Sequence, residues 1–170
     1  MENEIKLNLG SGGRSLPGYL SVDFNREEQD KIDVVHDMNK PLPFEDGSVS
    51  TIFASHIIEH FHYTDTAKIL NDWSRVIKPG GHIDIWTVDL DVVMKRSKEN
   101  TTSAMNWVNW RIFSYQDSRY EGASHHAIFN RWWLEECMRN AGFKNFEAIP
   151  IEEFPFAAHQ DMNMGVRGYR

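Results

Sequence analysis

The stretch Ile5-Lys6-Leu7-Asn8-Leu9-Gly10-Ser11-Gly12-Gly13 decides the fold. Its first five residues alternate as a strand does, and the glycines that follow let the backbone turn sharply and approach other groups closely. Outward from it, Tyr19 to Phe24, Ile32 to His36, Thr51 to Ser55 and His82 to Val88 read as further strands. A Pro-rich loop, Lys40-Pro41-Leu42-Pro43-Phe44, separates the third from the fourth. Thr64-Asp65 reads as the cap of a helix carrying Ile69, Leu70, Trp73, Val76 and Ile77, stopped by Pro79-Gly80-Gly81. Residues 91 to about 115 read as helical, with a polar interruption at Asn100-Thr101-Thr102-Ser103, and Asn130 caps a helix through Leu134 and Met138 that ends at Gly142. Two late strands, near Lys144 to Ile151 and Met164 to Tyr169, would close an antiparallel edge. Strands alternating with helices predict an α/β sheet. Ser15-Leu16-Pro17-Gly18 leaves little or no room for a first helix.

At 170 residues the chain reads as one domain, 1–170, large enough to fold on its own core. Its single cysteine, Cys137, fits a reducing compartment, and the polar start lacks a secretory pattern, so a cytoplasmic location is expected. The net charge of −7 argues against duplex nucleic acid as a partner, and no apolar run approaches a membrane span. A small-molecule substrate is expected instead of nucleic acid or membrane.

Ligands of open α/β sheets sit outside the carboxyl ends of the strands, so residues just after each strand carry the chemistry. Gly10-Ser11-Gly12-Gly13 follows the first. Asp23, with Phe24 beside it, ends the second and offers a carboxylate to a pair of ribose hydroxyls. Asp37-Met38 offers an acceptor for an exocyclic amine and an apolar face for a purine. Ser55-His56 follows the fourth strand, and Asp89 the fifth.

Leu7-Asn8-Leu9-Gly10-Ser11-Gly12, Val22-Asp23, Asp37, Ser55-His56-Ile57-Ile58-Glu59-His60 and Arg75-Val76-Ile77-Lys78-Pro79-Gly80-Gly81 together resemble the class I S-adenosylmethionine-dependent methyltransferases of the small-molecule type. The resemblance implies a Rossmann-like seven-stranded mixed sheet with the last strand antiparallel, and S-adenosylmethionine as cofactor. It implies the methionine part over Gly10 and Gly12, the ribose on Asp23 and the adenine by Asp37 and Met38. Asn8, Ser11, Phe24, Ser55 and His56 complete the cofactor-binding set. Asn8 stands where the family usually has an acid, and Arg14 where it has a third glycine.

Rival readings are weaker on the residues themselves. A dinucleotide fold fails because Ser15 takes the third glycine position and Asp23 follows Gly10 too soon. His56-Ile57-Ile58-Glu59-His60 matches a zinc-peptidase pattern, but it starts at a strand end instead of lying on one helix. A nucleic-acid methyltransferase would carry Asn or Asp before Pro-Pro and an aromatic after the fourth strand. The alternative from another class is a non-catalytic S-adenosylmethionine- or nucleoside-binding module.

Residues 100–133 hold Trp107, Trp110, Phe113, Tyr115, Tyr120, Phe129, Trp132 and Trp133, read either as an aromatic lid over the substrate or as core, core most strongly for Trp132 and Leu134. The stretch from Tyr115 through His125-His126-Ala127-Ile128-Phe129 to Phe143 resembles methyltransferases that accompany glycosyltransferases in polysaccharide synthesis. That resemblance implies a sugar or sugar-linked hydroxyl as acceptor. His125, His56 and Asp89 are the expected proton acceptors, His125 first.

Overall fold

The computed structural model describes residues 4–24, 31–114, 124–156 and 163–170. Seven strands, β1 (Ile5–Leu9), β2 (Leu20–Asp23), β3 (Val34–Val35), β4 (Val49–Ser55), β5 (Ile77–Val88), β6 (Lys144–Ile149) and β7 (Asn163–Tyr169), form one sheet in the order β3-β2-β1-β4-β5-β7-β6. All neighbours are parallel except β7, which runs antiparallel to both β5 and β6. The order reverses between β1 and β4, so the crevice beyond their carboxyl ends is the natural ligand position.

Four helices accompany the sheet: α1 (Thr66–Val76), α2 (Leu90–Ser97), α3 (Thr102–Phe113) and α4 (Arg131–Asn140). Helix α1 buries Ile69, Leu70, Trp73 and Val76 at helical spacing, and α4 buries Leu134, Cys137 and Met138. Both pack on one face of the sheet with Leu7, Leu9, Ile52, Ile83, Ile85 and Val166 as the main core. The opposite face carries no long helix among the described residues. Leu16, Tyr19, Ile149, Ile151, Phe154 and Phe156 cover its Phe53 and Trp86. Beside them Arg167 grips Asp84 through two hydrogen bonds of 2.6 and 2.7 Å.

Residues 10–19 form turns in place of a first helix, as Ser15-Leu16-Pro17-Gly18 predicts. The loop before β4 is held by Arg75, which donates to the carbonyls of Phe44 and Leu42, and by Asp72, which accepts from the Leu42 N–H at 2.7 Å.

Several expectations are corrected. Strand β5 begins at Ile77, not His82, because Gly80 and Gly81 exchange hydrogen bonds with Arg170 and so stay in the ladder. The Asp65 side chain makes no cap bond, and the Thr64 hydroxyl instead pairs with His62 Nδ1 at 2.7 Å. The third strand shrinks to Val34–Val35. Trp132 is 68% exposed and not core, while Leu134 is fully buried. Among the described residues no helix is long and apolar enough to cross a membrane.

Candidate active site

The glycine turn is built from β1 outward. Gly10, Gly12 and Gly13 all have positive φ, a region other residues rarely adopt. A Cβ on Gly10 would lie 2.7 Å from Ile57 Cδ1, so the turn also packs too closely for any side chain there. A Cβ on Gly12 would meet nothing within 4 Å, so Gly12 faces open space. Asn8, buried in β1, donates from Nδ2 to the Arg14 carbonyl at 3.0 Å and holds the far end of the turn. An acid at this position has no proton to donate, which accounts for the asparagine.

The N–H groups of the turn are satisfied internally. Gly10 and Ser11 donate to the Val22 carbonyl at 2.9 and 3.4 Å, and Gly12 donates to Asp23 Oδ2 at 2.7 Å. A pyrophosphate would require such donors to point outward, and these three do not. Ser11 Oγ is buried beside the turn with no partner among the described residues. Open space at Gly12, the Asp23 carboxylate and the orphaned Ser11 hydroxyl fit an uncharged polar or nucleoside group better than a phosphate.

Next along the rim, Phe24 is 51% exposed beside Asp23. Asp37 is half-buried two residues past β3. Its Oδ1 accepts from both the backbone and the side-chain nitrogen of Asn39 at 3.0 Å, which lowers its pKa from the ordinary value. Met38, expected as a purine face, is 5% exposed and belongs to the main core. The exposed apolar side chain on this side is Phe24.

Ser55 ends β4, and His56 follows with φ +52, its N–H donated to the Trp86 carbonyl at 2.8 Å. His56 Nδ1 lies 2.8 Å from Glu59 Oε1, and its Nε2 lies 2.9 Å from Asn163 Oδ1. Glu59, a carboxylate against Nδ1, favours the protonated ring. Burial pulls the His56 pKa down, but the hydrogen bond and charge of Glu59 outweigh it and the net shift is upward. Glu59 is 1% exposed. Burial opposes its charge, yet His56, His60 and His125 around it hold its pKa at about 2. His56 is thus held between Glu59 and Asn163 at the end of β4.

His125 is set differently. Its Nδ1 lies 2.8 Å from the Arg111 carbonyl, so Nδ1 carries the hydrogen and the neutral ring has its lone pair on Nε2. Burial lowers its pKa, keeping it neutral at pH 7. The Glu59 carbonyl accepts the N–H groups of His126 and Ala127 at 2.8 and 3.1 Å, tying the His125 segment to the end of β4. The His125 ring also meets His60 edge to face, with centroids 4.9 Å apart. Asp89 caps α2, its Oδ1 accepting from Asp91 N at 2.8 Å, and burial raises its pKa. That capping bond occupies it structurally.

The aromatic residues of 100–133 do not gather into one pocket. Phe129 is core, and Trp107 packs between the guanidinium groups of Arg96 and Arg111. Trp110, Phe113, Trp132 and Trp133 are exposed, and Tyr115 and Tyr120 lie outside the described residues. Among the described residues no group of three or more His, Cys, Asp or Glu is placed to hold a metal, and Glu59 of the zinc-like pattern pairs with His56. Sequence reasoning passed over Glu59 as a site residue although the His56-x-x-Glu59 spacing displays it. Asn163 had no signal, standing 107 positions from its partner.

Residues 18–85 match a family model described as a methyltransferase domain. No curated protein matches the sequence. A Thermotoga maritima structure titled as an S-adenosylmethionine-dependent methyltransferase, possible histamine N-methyltransferase, is 16% identical with a TM-score of 0.65, covering 97% of this chain and 81% of that one. A Methanosarcina mazei structure titled as an S-adenosylmethionine-dependent methyltransferase is 14% identical with a TM-score of 0.67, covering 100% and 94%. Human N-acetylserotonin methyltransferase, crystallised with S-adenosylmethionine, is 14% identical with a TM-score of 0.64, covering 98% of this chain and 47% of that one. At these identities the likeness is one of fold. Residues 18–85 thus match a methyltransferase-domain model, and the chain shares its fold with structures of S-adenosylmethionine-dependent methyltransferases.

Proposed function

We propose that the chain methylates a small-molecule hydroxyl, of a sugar or a sugar-linked acceptor, with His125 as general base. The observation that carries the reading is the His125 ring, whose Nδ1 is held by the Arg111 carbonyl and whose pKa burial lowers, beside a His56 that the Glu59 carboxylate engages. S-adenosylmethionine, when bound, supplies a methyl group on a sulfonium, an electrophile that brings its own leaving group. Gly12 would leave room for it, Ser11 Oγ would offer it a hydrogen bond, Asp23 would hold the ribose, and Asp37 with Phe24 would flank the adenine. As the acceptor hydroxyl becomes nucleophilic, its proton passes to His125 Nε2, and the Arg111 carbonyl keeps the opposite nitrogen protonated throughout. The Thermotoga maritima and human proteins are titled for amine and indole substrates, so the fold alone does not select the acceptor. The hydroxyl follows from the neutral base, and the sugar from the resemblance of residues 115–143.

Calorimetry with S-adenosylhomocysteine tests the cofactor half. Asp23→Ala should weaken binding about 10- to 150-fold, because hydrogen bonds to a charged group contribute about 1.5–3 kcal/mol. Unchanged affinity would remove Asp23 from the site. On an identified acceptor, His125→Ala should lower kcat by about 10²–10⁴. A loss under about threefold would move the base elsewhere.

A further inference from the structure

We infer that Glu59 is a positioning residue for His125: its backbone holds the segment that carries the ring, and its buried carboxylate stabilises the positive charge the ring acquires on taking a proton. The catalytic half rests on His125 being the base proposed above, whereas the coupling of Glu59 to His125 is a property of the free protein. Glu59 lies in the 3-10 turn Ile58–His60, and that turn pins the chain on both sides of His125. On one side His60 Nδ1 donates to the Ser124 carbonyl at 3.1 Å. On the other the Glu59 carbonyl accepts the N–H groups of His126 and Ala127. The end of α3 fixes the residue between them, the Phe113 carbonyl taking the His125 N–H at 3.3 Å and the Arg111 carbonyl its Nδ1 at 2.8 Å. Backbone and ring are therefore both held, and Nε2 is left to exchange a proton.

The carboxylate acts on three imidazoles. Its Oε1 lies 2.8 Å from His56 Nδ1, while Oε2 is buried with no hydrogen-bond partner among the described residues. Its charge therefore also acts through space on His60 and His125, whose rings meet edge to face with centroids 4.9 Å apart. Nδ1 of each of those rings is taken by a carbonyl, so neither bonds the carboxylate through that nitrogen. A buried charge is poorly screened, and an effect survives here that solvent would remove at the surface. Burial opposes protonation of His125, and Glu59 is the largest influence favouring it. His60 and, more weakly, His56 oppose it, and Glu59 outweighs each of them. Arg111 on α3 opposes protonation of His56 and meets His125 through its carbonyl, its guanidinium packing on Trp107 and Trp110. Loss of the Glu59 charge would also let His56 shed its proton, which removes only the weaker of the two opposing imidazoles. A Glu59 that mattered for structure alone would act through its carbonyl, which survives any change of side chain.

The test follows the His125 ring by NMR titration of the full chain, with neither cofactor nor acceptor added. Glu59→Gln should move the His125 midpoint to lower pH, and Glu59→Asp should bring it back towards the wild type. An unmoved or raised midpoint in the Gln variant, or an Asp variant that titrates like it, would overturn the inference. If Glu59→Gln does not fold, the wild-type chain decides: the Glu59 carboxyl carbon should shift with the same midpoint as the His125 ring, and a resonance indifferent to that titration would overturn the inference equally. On an identified acceptor, Glu59→Gln should lower kcat about 10- to 100-fold, as the loss of a group orienting a reacting imidazole does at metal sites, with the acceptor KM within about twofold. The acid limb of its pH profile should move to lower pH along with the midpoint. An unchanged kcat in Glu59→Gln, where His125→Ala abolishes turnover, would also overturn it. Should His125→Ala keep kcat within about threefold while the midpoint shifts as expected, the base assignment fails and the coupling of Glu59 to His125 stands.

Discussion

Gly10 and Gly12 look alike in sequence and share positive φ, yet they do different work. Gly10 is fixed by packing, since a Cβ there would sit 2.7 Å from Ile57 Cδ1 and 2.8 Å from Ile57 Cβ. Gly12 is fixed by conformation alone and borders open space. Gly12→Ala should therefore cost about 1–2 kcal/mol, the cost of a left-handed backbone for an L-residue. Gly10→Ala adds overpacking of about 1–3 kcal/mol and should cost clearly more in urea denaturation. Equal losses would mean that Ile57 swings aside. The turn of Gly10, Gly12 and Gly13 was legible because glycines directly after an alternating strand mark a sharp turn. The burial of Met38 was not legible, because a position after a strand does not reveal which way the side chain turns, and here it packs into the main core.

Among the elements, strong apolar periodicity was read well and punctuation was read badly. Ile69, Leu70, Trp73 and Val76 set α1 unambiguously, whereas Pro79-Gly80-Gly81, a fair helix stop, also lies inside β5 because Arg170 pairs back onto it. No local pattern could announce a partner ninety residues away. Tryptophan on α4 was equally ambiguous: Trp132 has the size of a core residue but falls on the outer face, opposite Leu134. Caps separate in the same way. Asn130 Oδ1 accepts from Trp133 N at 2.9 Å, while Asp65 makes no side-chain cap bond. Asn130→Ala should thus lose about 1 kcal/mol of stability. Asp65→Ala should stay within about 0.5 kcal/mol, as for a surface substitution without such a feature. Thermal melts of the two variants side by side check the contrast, and a larger loss at Asp65 would contradict it.

Over the whole molecule, Glu59 joins three distant parts of the chain: its side chain holds His56 after β4, its carbonyl holds the His125 segment, and through His56 it reaches Asn163 at the start of β7. The stability it supplies should therefore be global and pH-dependent, with a sign at each limb. His56 has a folded pKa raised above its ordinary 6.5, so its contribution is full below 6.5 and is lost as pH rises through the raised value. Glu59 has a folded pKa of about 2 against an ordinary 4.5, so its contribution is full above 4.5 and is lost as pH falls towards about 2. The pair is worth most between the two ordinary values. Glu59→Gln removes the charge but keeps the shape, and His56 can then shed its proton instead of remaining a stranded cation. The loss near pH 5.5 should accordingly be about 1–3 kcal/mol, that of a charged hydrogen bond, instead of the larger figure for an unpaired buried ion. Urea denaturation of both proteins across pH reads out Glu59 and the histidines coupled to it, because titrating groups that do not interact with Glu59 cancel in the difference. That difference should shrink towards acid and towards alkaline pH. A difference that stays constant across the range would show that Glu59 acts through packing, with no linked protons.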